Sequence, residues 1–303
     1  MRRLITKSII LVIGHILNLP LLLVGKYRKS RHFVKGLVIP WYFRRYLPAV
    51  AAIKQDKVIK NDTDEKIFSI WLQGEDKAPP LVQSCYRSMR RNCTQELVIL
   101  TRETLPDYID LPGYIMDKCR DGKIRNAHFA DIARVELLHN HGGIWMDATN
   151  FAVAPIPNWI IKQDFFTFLT GDNKIGLPKI NTASFMQNCF IRSRKGAYLL
   201  DAWRAMILEY WREENKTFDY FMHQFLFRTL VHGDARAIGA FAKIPHVAQD
   251  PTHTLWRPHA AEPFNQKKFD ELTSGAFFQK LAYRPKYARN PIPGSFADIV
   301  IKM

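Results

Sequence analysis

From Ala127 to Asn140 the chain reads AHFADIARVELLHN, with Phe129, Ile132, Val135, Leu137 and Leu138 spread around every side of a helix. A helix that is apolar all round belongs inside a protein rather than on its surface. Gly142 and Gly143 stop it, and residues 144–147 (IWMD) follow at once as a short strand. A buried helix that turns on two glycines into a strand is one leg of an α/β sheet. It leaves Asp147 at the carboxyl end of that strand, the edge at which open α/β sheets receive ligands.

The flanking pattern agrees. Residues 67–72 predict a strand, 81–91 a helix and 97–101 a second strand, which is a βαβ opening. Further strands are expected at 165–169 and 184–191, and helices at 196–213 and 218–231. With 303 residues and 47% hydrophobic content, the chain can fill one enzyme-sized core. The polar run 55–66 (QDKVIKNDTDEK) reads as a linker, so the expected division is a segment 1–60 followed by a catalytic domain 61–303.

The formal charge of +16 suggests nucleic acid until it is located. Residues 1–60 hold 13 Lys/Arg against one Asp, which leaves +4 for the other 243 residues. Charge concentrated beside the apolar run 8–24 (SIILVIGHILNLPLLLV) points to anionic lipid headgroups. No nucleic-acid-binding motif accompanies it, and no nucleic-acid partner is expected. His15, Asn18 and Pro20 weaken central insertion of a run that is short for a spanning helix, so a membrane-embedded or interfacial anchor is favoured over a cleaved signal. Residues 33–53 mix aromatics, Arg and Pro in a way that suits either the headgroup layer or a helix packed on the catalytic body. Cys85, Cys93, Cys119 and Cys189 have no metal-type spacing and fit a reducing compartment.

Asp131 and Arg134 lie three residues apart on the buried helix and share a face. Alone, such a pair reads as a structural salt bridge. The glycine turn brings Asp147 toward them, and carboxylates converging with Arg at a strand end suit a hydroxyl-rich, phosphate-bearing ligand. A second polar cluster is Asp219, Tyr220, His223 and Gln224; on one helix Asp219 and His223 would be i, i+4 neighbours able to support a metal, a phosphate or an acceptor hydroxyl. A capped helix start would give Asp219 the same position. Asn181, Ser184, Gln187 and Asn188 are candidate acceptor contacts, and His246 or His253 fits a loop closing over a diphosphate; neither these nor His259 has metal-ligand spacing.

The run from His128 to Thr149 resembles the signature of the capsular polysaccharide synthesis proteins and their relatives in glycosyltransferase family 32, in which a D-x-x-R helix is followed by G-G-x-[YW]-x-D-x-[DT]. The similarity extends from residue 70 (IWLQGEDKAPPLVQSCYRSM) through FDYFMHQFLF at 218–227. The resemblance implies a GT-A-like, Rossmann-type nucleotide-sugar-binding domain that transfers a sugar, with retention, from a nucleotide-sugar donor to a glycan or lipid-linked acceptor of a surface polysaccharide. It implies that Asp131 and Arg134 hold the donor sugar, that Trp71 and Gln73 lie where the nucleotide base is received, that Asp147 is the first acid of a D-x-D element, and that Asp219 and His223 act near the acceptor or leaving group. Anchoring through residues 1–60 would place the enzyme on the cytoplasmic face of a membrane. Thr149 replaces the second acid of the D-x-D element, and a neutral hydroxyl is a weak ligand for Mn²⁺ or Mg²⁺. Either Asp147 holds a divalent cation with help from water and another side chain, or cationic groups stabilise the departing diphosphate without one. The rival expectation is a membrane-bound carbohydrate-binding or scaffold protein that kept the fold and lost catalysis.

Overall fold

The computed structural model describes residues 38–53, 65–170 and 185–303. The proposed anchor at 8–24 and nearly all of the linker lie outside these residues. Among the described residues no helix is long and apolar enough to cross a membrane.

Strands β1 (Ile67–Ile70) and β2 (Leu97–Leu100) pair in parallel and are joined by helix α1 (Pro80–Asn92), as the sequence predicts. Helix α2 (Gly113–Arg120) precedes α3 (Asn126–His141), which feeds strand β3 (Gly143–Met146) on the other side of β1. Strands β5 (Phe165–Leu169) and β6 (Met186–Ser193) complete a five-stranded sheet in the order β2-β1-β3-β6-β5, with β6 antiparallel to both of its neighbours. Between β3 and β5, the short strand β4 (Asn150–Ala152) leaves the sheet and pairs antiparallel with β7 (Phe278–Lys280).

Both faces of the sheet are covered, which is why β1, β3 and β5 read as near-continuous apolar runs rather than alternating ones. On one face Phe68, Trp145, Phe165 and Ile191 pack with α3, α4 (Tyr198–Glu213) and α5 (Met222–Gly233). On the other, Ile67, Ile144, Met146 and Phe190 meet Val82, Tyr86 and Met89 of α1 together with Phe277 and Phe278.

The folded body reaches further toward the N-terminus than the expected boundary at residue 61. Residues 38–53 are helical and bury Ile39, Tyr42, Phe43, Tyr46 and Val50 in the same core as α4 and α5. Tyr42 and Tyr46 donate hydrogen bonds to Glu214 at 2.5 and 3.2 Å, and Phe43 packs edge-on against Tyr210 and Phe218. Of the two readings of residues 33–53, packing on the body holds for these inward side chains. Trp41, Arg44 and Arg45 face solvent.

The two glycines between α3 and β3 have separate reasons. Both have positive φ, 69° at Gly142 and 91° at Gly143. A Cβ on Gly143 would stand 2.7 Å from the backbone oxygen of Lys66, which is where β3 enters the sheet beside β1. Gly143→Ala is therefore expected to destabilise the protein by roughly 2–3 kcal/mol, read as a lower urea midpoint, since backbone strain and a backbone clash coincide.

Candidate functional site

At the carboxyl ends of β1 and β3 opens a cleft of ≈ 750 Å³. Because β6 runs antiparallel to β3, its first residues, Met186–Cys189, lie beside the end of β3; Asp147 donates its backbone N–H to the Cys189 carbonyl at 2.9 Å. The polar residues Gln187 and Asn188 thus reach the same edge as Asp147.

The convergence expected of Asp131, Arg134 and Asp147 is present. The Arg134 guanidinium lies 3.1 Å from Asp131 Oδ1 and 3.5 Å from Asp147 Oδ1, and stacks over the Trp145 ring at 4.8 Å. It also donates to the carbonyls of Ala130 and Asn188. Trp145 Nε1 donates to Asp147 Oδ1 at 2.8 Å, so this oxygen is held from two sides.

The other oxygen of Asp147 is held by a residue that the sequence reading did not single out. Lys280 Nζ lies 2.6 Å from Asp147 Oδ2 and 2.7 Å from Thr149 Oγ1. The β4–β7 ribbon puts it there: Lys280 is in register with Asn150, and the Leu281 N–H donates to the Thr149 carbonyl at 2.8 Å. The one sequence signal is a lone basic residue inside an apolar run, AFFQKLAY. Gln279, fully buried beside it, accepts from the Leu255 N–H and donates to the Pro251 carbonyl, which fixes the loop carrying His253 and Arg257 at the cleft.

These contacts set the charges. Burial is the largest single influence and would raise the Asp147 carboxyl and lower the Lys280 ammonium, but their mutual attraction and hydrogen bond, joined at Asp147 by Arg134 and Trp145, together leave Asp147 below and Lys280 above the ordinary range. Asp131 behaves in the same way: burial opposes its ionisation, yet Arg134, His128 and His223 hold it below the usual carboxylate range.

His223 is placed differently from the expectation. Helix α5 begins at Met222, so Asp219 precedes it and the two residues do not share a helical face. Asp219 instead accepts the Phe221 N–H in the turn and does not line the cleft. His223 is fully buried; its Nδ1 lies 3.0 Å from Asp131 Oδ2 and its Nε2 accepts from Trp211 Nε1 at 3.2 Å. It does not line the cleft and stands behind Asp131.

Two clusters of side chains bear on metal binding. His128, Asp131 and His223 offer ligand atoms within 4.8 Å of one another. With Nε2 accepting from Trp211, however, the neutral ring carries its proton on Nδ1, 3.0 Å from Asp131 Oδ2, and has no lone pair left for an ion. At Asp147 and Thr149, the expected D-x-D position, the oxygens that would ligate an ion already flank the Lys280 ammonium. Neither set fits a divalent cation.

Several groups in the cleft are buried without partners among the described residues: Trp71 Nε1, Gln187 Oε1 and Gln224 Oε1. Trp71 meets Tyr283 edge-on at 5.5 Å, and Tyr220 stands exposed at the rim. Asn188 donates to Asp131 Oδ1 at 2.8 Å. Gln73, by contrast, points to solvent and does not line the cleft, and neither do His246 and His259. Gly74 (φ 91°) shapes the turn after β1, where a Cβ would meet Asp76. Asn181 and Ser184 lie outside the described residues.

The family model for capsular polysaccharide synthesis protein matches residues 28–297. The chain belongs to that family. The match takes in the packed segment 38–53 as well as Lys280. The chain is also similar to a protein of Fusarium pseudograminearum (strain CS3096) named as a probable glycosyltransferase, with 23% identity over 172 residues, 54% of this chain. The similarity covers 42% of that relative's length.

The environment of Asp131 gives a pH signature. Its folded pKa is lowered, so its contribution to stability is present above the unfolded value, roughly pH 4, and is lost as pH falls through the folded value. Asp131→Asn is expected to lose roughly 3 kcal/mol at neutral pH, because it leaves Arg134 less well paired. Urea unfolding should show the gap from wild type narrowing below about pH 4.

Proposed function

We propose that this protein is a GT-A-type glycosyltransferase that moves a sugar from a nucleotide diphosphate donor to a hydroxyl of a glycan or lipid-linked acceptor. The observation that carries this reading is the meeting of Asp131, Arg134, Asp147 and Lys280 at the carboxyl edge of the sheet, beside partnerless polar atoms. Such a site offers acceptors for sugar hydroxyls at Gln187, Gln224 and the outer carboxylate oxygens, with cations for phosphate at Arg134, Lys280 and Arg257. The family and the similarity to a probable glycosyltransferase support the same class of chemistry.

In this reading Asp131 and Arg134 orient the donor sugar, Asp147 faces the ribose and diphosphate, and Trp71 with Tyr283 flanks the base. The bond from the anomeric carbon to the phosphate oxygen breaks with both electrons going to that oxygen, and the acceptor oxygen bonds to the carbon. Both carboxylates are paired with cations and held below their ordinary range, so neither is a strong base at neutral pH. The departing phosphate, on the face from which it leaves, then takes the acceptor proton. That favours retention of configuration.

A membrane-bound acceptor fits the outward side of residues 38–53, where Trp41, Arg44 and Arg45 form an interfacial set continuous in sequence with the basic N-terminal segment. Release of nucleoside diphosphate from a panel of nucleotide sugars, in the presence of detergent-solubilised lipid-linked glycans, tests the assignment. Arg134→Lys and Asp147→Asn are each expected to lower release at least about 100-fold while the protein remains folded by circular dichroism. Wild-type rates in either variant would remove the cleft from consideration.

A further inference from the structure

We infer that Lys280 is a built-in substitute for the divalent cation of a D-x-D site, so that donor diphosphate is bound and released without a metal; this rests on the glycosyltransferase reading above. Three observations point the same way. The ammonium lies between the first and third residues of the Asp147–Ala148–Thr149 turn, at 2.6 and 2.7 Å from their side-chain oxygens. A divalent ion would need those same oxygens at roughly 2.0–2.2 Å, and the fixed positive charge would repel it. Its position is also imposed by the fold, through the register of Lys280 with Asn150 and the backbone bond from Leu281 to Thr149.

The residue at position 149 follows from the same arrangement. One ammonium neutralises one carboxylate, so a second acid would leave an unbalanced negative charge where a diphosphate must bind. A threonine hydroxyl accepts a hydrogen bond from the ammonium and adds no charge. An ammonium has three hydrogens, and Asp147 and Thr149 take two. The third is left for the cleft, which Lys280 lines. As the donor's anomeric carbon–oxygen bond breaks, the negative charge grows on the leaving phosphate oxygen. Lys280 stabilises it by donating a hydrogen bond and keeps its proton throughout; the acceptor proton goes to the departing diphosphate.

The test has two arms, both on the full chain. In the first, calorimetry measures binding of UDP and of GDP with EDTA and with MnCl₂, for wild type and for Lys280→Met, which keeps the side-chain length and loses the charge. The expected result is wild-type affinity that changes less than twofold between EDTA and Mn²⁺, and affinity at least tenfold weaker in Lys280→Met. Wild-type binding that appears only with Mn²⁺, or Lys280→Met binding as tight as wild type in EDTA, overturns the inference. In the second arm, the free-ion paramagnetic resonance signal is followed as protein is titrated into MnCl₂ without nucleotide. A signal unchanged by wild type supports the inference; stoichiometric uptake by wild type that disappears in Asp147→Asn overturns it. If neither nucleotide binds under any condition, the donor assignment fails in the first arm, and the second still decides whether the lysine excludes the ion.

Discussion

The Asp147 carboxylate at the end of β3 is only 24% exposed, and the neighbourhood is organised around its charge. Asp147 is held by Trp145 from its own strand, by Arg134 from α3 and by Lys280 from β7. The contiguous α3–β3 stretch and a strand 133 positions further on are therefore tied to one group. Pairs of this kind contribute modestly when intact, yet losing one partner leaves an uncompensated charge that costs about 3–5 kcal/mol. The geometry of the cleft in this sense also bears on stability.

Behind it stands a second layer. Asp131 is gripped by Arg134, Asn188 and His223, and His223 is in turn oriented by Trp211 on α4. The histidine tautomer is set by the indole N–H, and the carboxylate orientation is set by the histidine. Side chains fixed beforehand in this way hold the cleft in one geometry without rearrangement. The aromatic packing of residues 38–53 against α4 continues the support outward, from Tyr210 to Phe43 and Tyr46.

The regular elements around the sheet were legible because periodicity and glycine punctuation act locally; α3, β3 and the convergence of Asp131, Arg134 and Asp147 all follow from a single stretch of chain. The misplacements have physical causes. Asp219 and His223 looked like helical neighbours because nothing in TFDYFMHQ marks Met222 as the first helical residue. The aromatics of 38–53 read equally as membrane-facing and core-facing, because amphipathic composition does not say which apolar surface a helix meets. Lys280 was invisible for another reason. Its role depends on the pairing of β4 with β7, and a three-residue strand has no periodicity from which that register could be read.

That pairing also orders events in time. Asp147 and Lys280 are separated by 133 positions, which at ribosomal rates is on the order of ten seconds of synthesis. The last strand of the five-stranded sheet ends at Ser193, well before Gln279, Lys280 and the loop bearing Arg257 have been made. A chain that ends before the ribbon lacks Lys280 and also Phe277 and Phe278, so one face of the sheet stays partly uncovered until the residue that holds Asp147 arrives.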